Sequence, residues 1–125
     1  MLHKRMDDID YKYLVPAFLT ACMMAIGQLM FSLGARSLNT QTFGLFLGST
    51  FSNAWLTGAI ALYAVTILTW IYALKHLPLS VAYPITACAY VITPVLASIF
   101  LGEPLPAKLL VGSGLILAGL AVIYL

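Results

Sequence analysis

Four side chains, Tyr83, Thr86, Tyr90 and Thr93, fall at i, i+3, i+7 and i+10 of an otherwise apolar stretch. That spacing lines one face of a helix. Tyr63, Thr66 and Trp70 repeat the pattern at i, i+3 and i+7, and Thr20, Gln28 and Ser32 add polar groups to a further apolar run. Facing lipid, each would leave hydrogen-bonding capacity unused, so these faces point inward. Two uses fit: bonds that glue neighbouring helices, or the lining of a polar groove for a head group. Hydroxyls, amides and aromatic faces without formal charge suit a sugar better than a cation. The groove candidates are Gln28, Tyr63, Trp70, Tyr83, Thr86 and Tyr90.

Inside these runs, away from their ends, there is no Asp, Glu, Lys, Arg or His. Such residues are the usual mark of proton relays and ion coupling, and Tyr and Cys titrate too high to replace them near neutral pH. A proton-driven exporter of cations therefore has no carboxylate to use. Glu103, the only acid beyond the first twelve residues, reads as a polar turn residue at the membrane surface. Arg36, Lys75 and Lys108 stand at the ends of apolar runs. They suit phosphate, Arg by forked contacts and Lys as a point charge, or they snorkel to the membrane surface. Arg36 is the strongest phosphate candidate, because it follows the Gln28–Ser32 face by one to two turns. Cys22 and Cys88 read as small apolar packing residues. No nucleophile–base pair and no metal-ligand spacing is present, so neither catalysis, a cofactor nor a metal site is expected.

The elements that position these residues follow from composition. The chain is 62% hydrophobic and 8% charged, whereas ordinary soluble domains carry roughly 25% charged residues. One spanning helix takes about 20 apolar residues. The 125 residues thus divide into a polar tail over 1–12 and an all-α bundle of four transmembrane helices over 13–125, with spans near 13–35, 54–74, 79–101 and 106–125. Residues 36–53 form the longest loop, with a short interfacial helix around Phe43 to Leu47. Leu77-Pro78 and Gly102-Glu103-Pro104 are turns. Pro84 and Pro94 fall inside the third span, where neighbouring helices can satisfy the freed carbonyls, and are candidate flex points. Lys4, Arg5, Lys12 and Lys75 on one side outnumber Arg36 and Lys108 on the other, which puts both termini in the cytoplasm. A net charge of +2 without clustering gives no reason to expect nucleic acid.

In the fourth span Gly112 and Gly119 are seven residues apart, and Gly114 and Ala118 four apart. This small-residue stripe allows close helix association. Four helices enclose little volume, so a dimer is the natural way to build a substrate chamber.

The stretches AIGQLMFSLGA, WIYALKHLPLSVAYPI, LGEPL and GSGLILAG, in that order, resemble the small multidrug resistance and EamA-like branch of the drug/metabolite transporter superfamily. Proton-coupled drug exporters of that branch carry a glutamate three residues before the glycine that Gly27 matches, where this chain has Met24. They also carry a tryptophan three residues after the tyrosine that Tyr83 matches, where this chain has Thr86. The Gly27–Leu29 run, Ala82–Pro84 and Glu103-Pro104 are more similar to the paired small subunits that flip aminoarabinose-phosphoundecaprenol. The spacing of Gly112 and Gly119 matches the dimer-forming glycines of small multidrug resistance proteins. The resemblance implies an inner-membrane flippase for a polyprenyl-phosphate-linked monosaccharide, paired with itself or with a homologous small subunit. In that reading Arg36, with Lys108 or Lys75, meets the phosphate. The rival readings are a small-solute or multidrug exporter, and an accessory subunit that only completes a heterodimer.

Overall fold

A computed structural model describes residues 10–38 and 42–125. Six α-helices run in order among them: α1 Leu14–Arg36, α2 Phe43–Ser52, α3 Ala54–His76, α4 Leu79–Ile85, α5 Ala89–Leu101 and α6 Ala107–Tyr124. Short 3₁₀ turns occupy Tyr11–Tyr13 and Thr86–Cys88. Four segments, Tyr11–Arg36, Ala54–His76, Leu79–Leu101 and Ala107–Tyr124, are long and apolar enough to cross a membrane. Of the expected polar tail, residues 1–9 lie outside the described residues, Lys4 and Arg5 among them.

Local chemistry sets the helix boundaries. Asn53 caps α3, its side-chain oxygen accepting from the backbone N–H of Trp55 at 3.0 Å and of Leu56 at 3.3 Å, which satisfies two donors that a helix start leaves unpaired. Leu77-Pro78 stops α3, and Pro78 then caps α4. Gly102 ends α5 at φ +65°, a left-handed conformation that costs glycine nothing. The interfacial helix expected around 43–47 extends to Ser52 as α2. Its Ser49, Thr50 and Ser52 hydroxyls donate to carbonyls within the helix, while Phe43, Leu45 and Phe51 stay exposed.

The bundle runs up-down-up-down. Tyr13 at the start of α1 stacks on His76 at the end of α3, and Gly34 near the end of α1 meets Leu56 near the start of α3. The Tyr124 hydroxyl at the end of α6 donates to the Val81 carbonyl in α4. Small residues draw α1 and α3 together: Ala17, Ala21, Ala25, Gly27 and Gly34 are buried on α1, and close backbone approach replaces the hydrophobic drive that lipid removes. A compact apolar cluster of Ala17, Ala73, Leu77, Ala82 and Ile85 closes the Tyr13 end. Neither α5 nor α6 contributes a buried residue. Large apolar side chains such as Ile99, Leu115 and Val122 are exposed along them, an outer surface suited to lipid or to another helix.

The third span keeps the expected bounds, Leu79–Leu101, but is not one regular helix. It tightens into a 3₁₀ turn at Thr86–Cys88 between α4 and α5. Pro84 lacks the N–H that would bond the Ser80 carbonyl, and the Thr86 hydroxyl takes the Tyr83 carbonyl at 2.6 Å. Both loosen the regular ladder at that point.

Candidate functional site

The break in the third span faces a cavity of about 680 Å³. Thr20, Met24 and Gln28 of α1 line it, with Tyr63, Thr66, Ile67 and Trp70 of α3, Tyr83 and Pro84 of α4, Thr86 and Ala87 of the 3₁₀ turn, and Ala89, Tyr90, Thr93 and Pro94 of α5. All six groove candidates, Gln28, Tyr63, Trp70, Tyr83, Thr86 and Tyr90, meet there, joined by Thr20, Thr66 and Thr93. Ser32, a turn beyond Gln28, does not line it. These residues come from three of the four apolar spans, and the cavity runs from Tyr83 and Pro84 near the start of the third span to Pro94 beyond its middle.

Its walls are built by specific contacts. Gln28 Nε2 donates to the Tyr63 hydroxyl at 2.7 Å, and that hydroxyl donates to the Met24 carbonyl at 3.5 Å. Phe31 braces the Tyr63 ring at 5.3 Å between centroids. A Cβ on Gly27 would stand 2.3 Å from Tyr63 Cε2, so only glycine at that position lets the ring lie against α1. Trp70 and Tyr83 meet edge to face at 6.4 Å, a favoured aromatic geometry.

Of the two uses open to the polar stripes, glue describes the Gln28–Tyr63 pair. The threonines behave differently. Thr20, Thr66 and Thr86 donate back to carbonyls of Pro16, Leu62 and Tyr83 in their own segments, which hides the proton and leaves oxygen lone pairs as acceptors. Among the described residues, the hydroxyls of Tyr83 and Tyr90 and the indole N–H of Trp70 have no protein hydrogen-bond partner. Pro94 also withholds the N–H that would bond the Tyr90 carbonyl. The cavity thus offers donors, acceptors and aromatic faces, and no carboxylate, ammonium or guanidinium among its lining residues. Met24 and Thr86, where the resemblance places a glutamate and a tryptophan in drug exporters, both line it.

The charged residues stand at the rims. Arg36 forms an ion pair with Glu103, so the arginine expected to await a phosphate already holds a carboxylate, and the expected turn residue is its partner. Lys108 opens α6 on that same end. Lys75 closes α3 at the opposite end, beside His76, which is held between Tyr13 at 4.1 Å and Tyr72 at 4.7 Å. A helix of 23 residues is about 34 Å long, so one phosphate cannot touch Arg36 and Lys75 together. Gly112 and Gly119 sit on an open face of α6, where a Cβ would meet nothing within 4 Å.

Sequence reasoning missed Ile67, Ala87 and Ala89 as lining residues, since apolar side chains in an apolar run carry no positional signal. It also missed the Arg36–Glu103 partnership, which joins residues 67 positions apart.

A family model described as the EamA-like transporter family matches residues 6–125. Over 73 residues the chain is 32% identical to a probable 4-amino-4-deoxy-L-arabinose-phosphoundecaprenol flippase subunit ArnF of Serratia proteamaculans, covering 54% of this chain and 56% of that protein. Over 66 residues it is 36% identical to the corresponding probable subunit ArnE of Pectobacterium atrosepticum, covering 53% and 58%. These two alignments span just over half of each relative. A third, to a probable ArnF subunit of Shewanella sediminis, runs over 128 residues at 31% identity and covers 90% of this chain and 87% of that protein. No solved structure matches.

Proposed function

We propose, on the premise that this chain belongs to the EamA-like transporter family, that it flips a polyprenyl-phosphate-linked monosaccharide across the cytoplasmic membrane. Four apolar spans and the family together make the chain a multi-pass membrane transporter. The observation that carries the finer reading is the neutral cavity between the apolar spans, lined by hydroxyls and aromatic faces and by no carboxylate. A sugar head group offers hydroxyls to the free Tyr83, Tyr90 and Trp70 donors and to the Tyr90 carbonyl. Its C–H face stacks on Trp70 or Tyr83. The polyprenyl tail stays in lipid. The phosphate remains near a rim, met by Arg36 and Lys108 on one side and by Lys75 on the other.

The proline-bounded 3₁₀ turn is the element that lets the third span flex as access alternates between leaflets. Both termini face the cytoplasm. The relatives named as subunits ArnE and ArnF both match this one chain, which supports a dimer with itself or with a homologous small subunit, paired through the α6 face that carries Gly112 and Gly119. A proton-coupled exporter of cations is disfavoured because Met24 occupies the cavity position that would need an acid.

The test is flipping in vesicles that hold the chain alone or with a homologous small subunit. A polyprenyl-phosphate monosaccharide loaded in the inner leaflet should become accessible to an impermeant sugar-modifying reagent. Trp70→Ala or Tyr83→Ala should slow this at least tenfold. Export of cationic dyes that follows the proton gradient, with no flipping, would overturn the proposal.

A further inference from the structure

The bond that glues α1 to α3 takes only one of the N–H donors of the Gln28 amide. The nitrogen and oxygen of an amide have nearly the same shape, so its partners decide which way it points. Here the partner is Tyr63. A hydroxyl has a single proton, and that of Tyr63 goes to the Met24 carbonyl at 3.5 Å, so toward Gln28 it can only accept. Nε2 therefore faces Tyr63, donating at 2.7 Å, and Oε1 turns away from it. The Tyr63 ring is itself held in place. It lies where a Cβ on Gly27 would stand 2.3 Å from Cε2, and Phe31 packs on it at 5.3 Å between centroids.

Among the described residues, Gln28 Oε1 and the second N–H have no protein partner, and Gln28 is the one side-chain amide that lines the cavity. The nearby hydroxyls of Thr20 and Thr66 have given their protons to the Pro16 and Leu62 carbonyls at 2.9 and 2.8 Å. The unpartnered donors, on Trp70, Tyr83 and Tyr90, are carried by α3, α4 and α5. Protons thus come from those three helices, and the amide oxygen from α1. A hydroxyl answers both, since it accepts through its lone pairs and donates its own proton. A methylene in its place leaves Oε1 unpaired.

We propose that Gln28 reads one hydroxyl of the head group, its amide oxygen accepting the hydroxyl proton, and that Tyr63 is a positioning residue that holds the amide in that sense. The inference rests on the reading above that the head group is a sugar.

The experiment measures binding to the chain in lipid nanodiscs, using undecaprenyl phosphate hexoses and pentoses, each beside its monodeoxy analogues. For the sugar bound tightest, loss of one hydroxyl should weaken binding roughly five- to tenfold, the lower end of what an unpaired polar group costs. Gln28→Met should erase the penalty at that ring position and keep those at the others. Tyr63→Phe retains the ring against Gly27 and should shrink the same penalty to about twofold. Added to Gln28→Met, it should change that penalty no further. In NMR of the chain labelled at its glutamine side-chain nitrogens, one Gln28 N–H should be shifted downfield, and the shift should vanish in Tyr63→Phe.

If Tyr63 only supports the bundle, Tyr63→Phe weakens every analogue alike and leaves each penalty unchanged, and that result overturns the positioning role. Unshifted Gln28 N–H signals in the native chain overturn it as well, because the oxygen would then face Tyr63. A hydroxyl penalty untouched by Gln28→Met removes Gln28 as the reader and leaves the flippase reading standing. A native chain that binds no member of the panel removes the sugar reading, and this role with it.

Discussion

Gly27 and Met24, three residues apart on α1, act on the cavity in opposite ways, one by having no side chain and one by having a neutral one. An alanine at 27 would put its Cβ 2.3 Å from Tyr63 Cε2, so the ring must leave α1 and give up the bonds to Gln28 and Met24. Overpacking of this kind costs about 1–3 kcal/mol. Gly27→Ala should therefore lower the unfolding midpoint in detergent and abolish flipping, and a variant with wild-type stability and rate would show that Tyr63 is not held there. Met24→Glu tests the neutrality of the cavity. A carboxylate there supplies the counter-charge for a cation that the native walls lack. It should bind a lipophilic cation that the native chain does not bind, and slow flipping of a neutral head group at least tenfold. If the variant flips sugar-lipid at the wild-type rate and binds no cation at any pH, position 24 does not face the substrate. At this scale the sequence showed which tyrosines and threonines share a helix face, but not how far they turn inward: Tyr83 and Tyr90 stay 65% and 69% exposed. What the residues did not disclose is which hydroxyls remain available. Thr66 and Tyr83 look alike in a pattern, yet one donates to its own helix and the other is free, a distinction made by rotamers.

Helices α1, α3 and α6 begin and end within two residues of the bounds expected from the sequence, because an apolar run in a membrane has no competing way to satisfy its backbone. The third span also keeps its bounds, Leu79–Leu101, but its helix is interrupted at Thr86–Cys88, beside the cavity. Its two prolines were visible, but whether a span kinks, unwinds or tightens depends on which neighbours take the freed carbonyls, and one sequence does not list those neighbours. Pro84 ends up inside α4 just before the 3₁₀ turn, and Pro94 inside α5. Pro84→Ala restores an N–H for the Ser80 carbonyl, a bond worth about 1 kcal/mol. It should raise the thermal midpoint while slowing transport at least tenfold, since a span that cannot bend holds one access state. A faster or unchanged rate in a more stable variant would show that the break is a packing feature with no part in the transport cycle.

At the scale of the whole molecule, the chain is asymmetric about its own cavity. α1 and α3 are locked by small residues at close approach, whereas α6 touches the rest through few residues and buries none. The same residue type gives opposite expectations on these two surfaces. Gly27 and Gly34 have no room for a Cβ, while Gly112 and Gly119 face open space. A bulky residue at the latter pair therefore leaves the single chain as it was, within about 0.5 kcal/mol, and acts only on what docks there. Gly112→Leu with Gly119→Leu should preserve helix content and the unfolding midpoint of the isolated chain, and should abolish pairing measured by energy transfer between labelled copies, or between the chain and a homologous small subunit, in vesicles. On the proposed dimer, flipping should disappear together with pairing, because no residue of α6 lines the cavity and a second subunit would wall that flank. Persistent pairing in the double variant would move the interface to another face. Pairing lost with flipping intact would mean that one copy encloses its substrate unaided, and that the open face of α6 is simply a surface for lipid.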